Sequence, residues 1–279
     1  MDGIFCLMKN LTQAYRILNI LSIDVALGAV VCALFFAKIL KVSVISYGLI
    51  SLGLTVWIIY TADHLLDAYK IQQPASTERH RFHQQHFKKL FVFLIVATAI
   101  DAAQLIFIRK AVLFEGLALA LLVMIYFLAH RYLKFFKEVI GAVLYSGGVL
   151  LIPWSVNKGV ITLPQLLLIV QFSLTALLNL FLFSWFGLNQ DERDKHSSFA
   201  TVMGFNAAKY SIAILFFFQF LLSATQLIQP AYHLPVIILL VMNLLLLLIF
   251  LRKNFFEVDD RYRLLGDAVF FLPVIYLLV

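Results

Sequence analysis

Residues 163–198 read LPQLLLIVQFSLTALLNLFLFSWFGLNQDERDKHSS. From Leu163 to Gly187 there is no Asp, Glu, Lys or Arg, and the run exceeds the roughly 20 residues a helix needs to cross a hydrocarbon core. Charge then arrives at once, in Asp191, Glu192, Arg193, Asp194 and Lys195. Runs of the same apolar kind recur at Ala111–Ala129 and Leu234–Leu251. Of the 279 residues, 63% are hydrophobic and only 13% are charged, against roughly 25% charged in soluble domains. The fold class that follows is all-α, a polytopic transmembrane bundle, because a helix satisfies its own backbone in lipid. We expect one domain over 1–279.

Nine spans are expected, near 20–37, 43–62, 89–108, 111–129, 138–156, 162–187, 206–227, 232–251 and 264–279, the last being short. Pro153, Pro164, Pro230, Pro235 and Pro273 fall near proposed helix ends or where neighbouring helices could satisfy a freed carbonyl. The start, MDGIFCLMKNLTQAYRILN, carries an acid at position 2 and no small-residue cleavage site, and reads as a cytoplasmic, partly amphipathic lead-in. Cys6 and Cys32 imply neither a disulfide framework nor a zinc motif.

With the N-terminus cytoplasmic, 17 of the 22 basic residues fall on the cytoplasmic side. They are Lys9, Arg16, Lys70, Arg79, Arg81, Lys88, Lys89, Arg131, Lys134, Lys137, Arg193, Lys195, Lys209, Arg252, Lys253, Arg261 and Arg263. Lys38, Lys41, Arg109, Lys110 and Lys158 fall outside, as the positive-inside rule requires. The net charge of +7 therefore reflects topology and contact with anionic membrane lipids. It points to no nucleic acid, and no nucleic-acid motif is present.

Both acidic clusters then lie on the cytoplasmic face. The first is Asp63 and Asp67, in YTADHLLDAYK (60–70). These are i and i+4, on one helix face, with Tyr60 near that face. Asp191 and Asp194 are i and i+3 on one face if the helix continues past Gly187. A carboxylate near hydrocarbon is costly and reads first as functional. Mg2+ favours one or two carboxylates plus phosphate oxygens over an all-protein cage, so the two clusters read as a shared site for Mg2+ and a phosphorylated ligand. The plainer alternative is a pair of solvated helix ends. Arg79 and Arg81, in STERHRFHQQHFKK (76–89), suit a diphosphate as bidentate forks, or simply make a basic inside loop. His80, His83 and His86 repeat at spacing three, a pattern that could gather imidazoles for a transition metal or merely mark a wet loop. Asp24 and Asp101 lie inside spans and should face the interior or water. Asp24 shares a polar stripe with Arg16 and Asn19, so it lines a cavity or is buried and protonated.

At these residues the chain resembles the UbiA superfamily of intramembrane prenyltransferases, over most of its length. That family has nine transmembrane helices and cytoplasmic aspartate motifs after helices 2 and 6. Asp63 and Asp67 look like the last two aspartates of its N-D-x-x-D-x-x-x-D motif, with Ile59 and Tyr60 at the Asn-Asp positions. NQDERDKHSSFAT is similar to the second motif, which puts Asp191 and Asp194 on family positions and Ser184 where an earlier aspartate would fall. YFLAHRYLKFFKEVIGAVLYSGG, from Tyr126, looks like the family's Tyr-x-x-x-Lys-Arg stretch, with Arg131, Lys134 and Lys137 as its cations. The resemblance implies that Asp63, Asp67, Asp191 and Asp194 hold Mg2+ and are the catalytic carboxylates. Arg79, Arg81, Arg131, Lys134 and Lys195 would bind the diphosphate, and Asn19, Asp24, Tyr60 and Tyr126 would line the cavity. The implied reaction moves an isoprenyl group from its diphosphate to an aromatic or lipid acceptor. The implied location is a bacterial inner (plasma) membrane, with the site facing the cytoplasm. Each cluster has fewer acids than the pattern. A catalytically weakened relative, or a transporter or lipid-binding protein using the same charged cavity, therefore stays open, as does a metal hydroxylase built on the three histidines.

Overall fold

The computed structural model describes residues 12–71 and 73–279, apart from the side chains of His130 and Arg131. Cys6, Lys9, most of the N-terminal lead-in and the Arg131 side chain lie outside the described residues. The helices in chain order begin with α1 (Thr12–Ile20), α2 (Ile23–Ile39), α3 (Ser46–Lys70), α4 (Glu78–Gln85), α5 (Phe87–Gln104) and α6 (Lys110–Leu133). They continue with α7 (Phe136–Val156), α8 (Leu163–Phe186), α9 (Leu188–Arg193), α10 (Phe199–Met203) and α11 (Phe205–Gln226). The last are α12 (His233–Leu251), α13 (Lys253–Phe256), α14 (Arg261–Ala268) and α15 (Val274–Leu278). No strand occurs among the described residues.

Among the described residues seven helices are long and apolar enough to cross a membrane, and α1 with α2 makes an eighth candidate bent by 85°. The bend falls where Ser22 is left-handed. The carbonyl of Leu21, freed there, accepts the indole N–H of Trp57 at 3.0 Å, so that backbone group is not left unpaired in hydrocarbon. The region expected as a ninth span is broken into α14, a tight turn at Val269–Phe271 and α15. Asp267 and Pro273 interrupt its apolar run, and five residues of α15 cannot span a bilayer at 1.5 Å rise each. α8 begins where the sequence signals it, with Pro164 in its first turn and Gln165 accepting the Thr162 N–H at 2.9 Å. Gly204, at φ +81°, makes the sharp change from α10 to α11, a conformation that suits glycine.

α2, α3 and α5 pack in succession, as do α6, α7, α8, α11 and α12, and α2 also packs on α7, α14 and α15, so the two series close through α2. α8 is the most enclosed, touching α7, α11, α12 and α14. α5 and α6 are the outer staves; Phe91, Phe93, Phe107 and Phe114 on or beside them are exposed to lipid. Polar pairs offset much of the cost of burying such groups in the membrane. Asp101 accepts the hydroxyls of Ser51 (2.6 Å) and Thr55 (2.7 Å). Gln171, Thr175, Gln219, Ser223 and Asn243 bond across α8, α11 and α12.

The closing contact of α14 on α8 is tight. A Cβ built on Gly266 would lie 2.6 Å from Asn179 Oδ1 and 2.6 Å from the Phe183 ring. Gly266→Ala is expected to cost about 1–3 kcal/mol, the usual penalty of overpacking. Reversible unfolding in mixed micelles measures it, and unchanged stability would show that this contact relaxes freely.

Candidate functional site

The short elements at one end of the bundle build the site. These are α1, the 71–77 loop with α4, the turn at Lys134, the α9–α10 segment, and the start of α14. Gln84 shapes the first loop, its amide donating to Ala68, Ile71 and Gln73 carbonyls. Thr77 caps α4, and Arg16 on α1 pairs with Glu78 at 2.8 Å.

Beneath α4 lies a buried polar network. Asn19 donates to Asp24 at 2.6 Å and to Asp267 at 2.7 Å. Arg79 donates to the Asn19 side-chain oxygen at 2.8 Å and to its backbone carbonyl at 3.0 Å. It stands 3.7 Å from Asp267, and its other terminal nitrogen is 3.4 Å from His64 Nε2. Tyr15 donates to Asp24 at 3.2 Å. The α1–α2 bend is what turns Asn19 and Asp24 to one point. Burial lowers the pKa of Arg79, and the neighbouring charge of Arg263 lowers it further. A guanidinium stays charged regardless.

The two loops after α3 and α8 meet directly. Asp67 is 3.4 Å from Lys70 and 3.4 Å from His196, which comes from the second loop. Asp194 accepts the Ser76 N–H at 3.1 Å and its hydroxyl at 2.7 Å. The His80 and His196 rings stack at 6.1 Å. Asp63 lies within electrostatic reach of Asp67, Lys137 and Lys70. Asp191 is half-buried and bonds Ser198, with Lys137, Arg263 and His196 around it. Burial raises the Asp191 pKa, while Ser198 and the nearby cations hold it down. Lys137, on α7, is thus within electrostatic reach of a carboxylate from each cluster.

Tyr60 packs edge-on to His64 at 6.3 Å and lies near Asp63, Asp267 and Arg79. Tyr126 reaches from α6 toward Asp63, Asp67 and Glu138. The expected cations divide. Arg79 points into the bundle. Arg81 bonds the carbonyls of Ala75 (3.0 Å) and Ser76 (2.8 Å) and so holds the loop's shape. Lys134 and Lys195 are exposed, each at a positive φ. Ser184 accepts the Ala200 N–H at 2.9 Å, so it anchors α10.

The histidines do not form one group. His83 and His86 donate back to the carbonyls of Arg79 (2.9 Å) and Phe82 (3.0 Å). Burial pushes His80 down to about 4, with Asp67 opposing that shift and Arg263 adding to it. Burial also lowers His83. Both are therefore neutral near pH 7. Among the described residues no three His, Cys, Asp or Glu side chains are arranged to hold a metal ion by themselves. Two carboxylates with phosphate oxygens remain a sufficient set for Mg2+, whose shell is completed by ligand and water. Asp63 and Asp67, four residues apart on α3, offer that set.

Sequence reasoning missed four groups: His64, Glu138, Arg263 and Asp267. Glu138 accepts the Phe199 N–H at 2.8 Å. Arg263 lies over the rings of Phe183 (5.3 Å) and Tyr262 (5.4 Å). His64 stood inside the quoted DHLLD and had a local signal. Arg263 had none beyond its charge, and Asp267 none beyond being an acid in an apolar stretch.

No family model and no curated protein sequence matches the chain. Solved structures do. A UbiA homolog from Archaeoglobus fulgidus bound to GPP and Mg2+ superposes at TM-score 0.66 with 12% identity, over 94% of this chain and 99% of that one. The same homolog bound to DMAPP and Mg2+ gives 0.63 at 11% identity, over 94% and 99%. The apo UbiA homolog from Aeropyrum pernix K1 gives 0.64 at 13% identity, over 94% and 98%. The fold of this chain is therefore the fold of those UbiA homologs.

Proposed function

We propose that the chain is a single-domain UbiA-type membrane prenyltransferase that moves an isoprenyl group from an isoprenyl diphosphate to an aromatic or lipid acceptor. The observation that carries this reading is the direct meeting of the two acidic segments: His196, whose N–H donates to the Asp191 carbonyl at 2.7 Å, stands 3.4 Å from Asp67, and Asp194 accepts from Ser76. The likeness in fold to structures holding GPP or DMAPP with Mg2+ supports it. The site would face the cytoplasm of a bacterial inner membrane, the cytoplasmic side being supported by the distribution of basic residues.

Asp63, Asp67 and Asp191 would hold Mg2+, which when bound neutralises part of the diphosphate charge. In the transfer, the bond between the isoprenyl C1 and the diphosphate oxygen breaks, and its electron pair leaves with the diphosphate. Lys137 and Arg263 receive that charge in a largely buried setting, where fixed cations act strongly. Lys134, Lys195 and Arg131 lie on the same end of the chain's fold and add to the approach of an anion. The faces of Tyr60 and Tyr126 stabilise the allylic cation. The acceptor then bonds to C1 and loses a proton. Asp194 and Arg79 act at one remove, the first joining the loops through Ser76 and the second holding α4 on the bundle.

Purified protein in nanodiscs, given labelled isoprenyl diphosphates with Mg2+ and candidate aromatic acceptors, is expected to release pyrophosphate and to lose that activity with a chelator. A chain that neither binds nor cleaves any isoprenyl diphosphate in Mg2+ would overturn the reading.

A further inference from the structure

A cavity of about 700 Å3 lies between α2, α3 and α5, away from the acidic site. That is within the range of ligand pockets, roughly 300–1,000 Å3. α4 separates the two. Arg79 and His83 on it face the polar network, whereas Phe82, and His86 just after it, line the cavity. The walls are apolar. Leu27, Ile50 and Phe93 on the rim are 51%, 51% and 62% exposed, so the groove opens sideways to the bilayer. The indole N–H of Trp57, on the wall, is already taken by the Leu21 carbonyl. Lys89 is the cationic lining residue, beside His86. Lys88 precedes it in the chain.

A groove of this chemistry at membrane depth cannot hold water, so it takes hydrocarbon. Its charge then selects the headgroup. A lysine on the basic side of the bundle, at one end of an apolar groove between helices, is complementary to a lipid phosphate. We propose that this groove binds an anionic phospholipid, one acyl chain lying against Leu27, Ile50, Trp57 and Phe93 and the phosphate meeting Lys89. An isoprenyl diphosphate suits it less. Among the described residues no carboxylate lines the groove to share a metal with two phosphates. The bound lipid would also back α4, whose opposite face carries Arg79.

Trp57 is a built-in reporter. With Trp154→Phe and Trp185→Phe, it is the sole remaining indole of the three tryptophans. Nanodiscs containing equal mole fractions of brominated phosphatidylglycerol or brominated phosphatidylcholine are compared. The expected result is at least twofold stronger quenching of Trp57 by the brominated phosphatidylglycerol, and loss of that preference in Lys89→Gln. Equal quenching by the two lipids would overturn the proposal, leaving the groove to bulk lipid. Relief of quenching by a non-hydrolysable geranyl thiodiphosphate would also overturn it, because the groove would then belong to the isoprenoid. If the two Phe substitutions impair folding, mass spectrometry of lipids retained by the unmodified protein serves instead. Phosphatidylglycerol should be enriched at least twofold over the bulk lipid, and no enrichment would sink the idea.

Discussion

Arg79→Met is expected to destabilise the protein more than any other single change in the loop after α3. Arg79 stands beside Asp267 and bonds Asn19, which donates to both Asp24 and Asp267, and the side chains of Arg79 and Asp267 are 9% and 7% exposed. Breaking a buried pair by removing one partner costs roughly 3–5 kcal/mol, because the remaining charge is left uncompensated. That is a large share of a total stability of about 5–15 kcal/mol. The Asn19 side-chain oxygen and backbone carbonyl would lose their donor as well. Arg79→Lys should not rescue fully, since one ammonium cannot replace a fork with one nitrogen at Asn19 and Asp267 and the other at His64. Adding Asp267→Asn to Arg79→Met should recover more than half of the loss. Arg81→Gln, two positions along and exposed, should cost under about 1 kcal/mol. Reversible unfolding in mixed micelles ranks the four variants. A stable Arg79→Met protein, or one not helped by Asp267→Asn, would remove Arg79 from the centre of this network.

Asp67→Ala and Asp191→Ala are each expected to weaken Mg2+-dependent binding of an isoprenyl diphosphate analogue by at least tenfold. In so sparse a site each carboxylate is a large fraction of the protein's share of the Mg2+ shell, and each also balances a cation across the loop junction. Asp194→Ala is the informative contrast. Its carboxylate is engaged by the Ser76 N–H and hydroxyl, so the variant should loosen the two loops and lower thermal stability while leaving the slope of affinity against Mg2+ concentration unchanged. Calorimetric titration with and without Mg2+ separates these effects. Unchanged affinity in both Asp67→Ala and Asp191→Ala would reduce the clusters to solvated helix ends.

How much of this was legible beforehand varies with range. The long helices were legible because each is a local run, uninterrupted by charge, whose backbone has no other partner in lipid. The ends of α5, α8, α11 and α12 fall within a few residues of the expected spans. The broken last region was less so. Its apolar content read as one span, whereas Gly266, Asp267 and Pro273 make it serve as a lid on α2 and α8. At the site, the acids were visible as acids, and the i, i+4 spacing of Asp63 and Asp67 set them on one face. Which cations meet them was not visible. Arg79 and Arg81 differ by two positions in one loop, yet one is buried under α4 and the other holds a turn.

By itself the sequence determined that this chain is a helical membrane bundle, which side of it is basic, and that two acidic helix ends share a side. Those are consequences of local composition and of the cost of placing charge in hydrocarbon. The tertiary structure decided the partners. Asp67 meets His196, Ser76 meets Asp194, and Arg79 meets Asn19 and Asp267. Side-chain bonds of this kind join residues up to 249 positions apart. They depend on the 85° bend after α1 and on how the helices close through α2, and neither is encoded in the spacing of residues along any one segment.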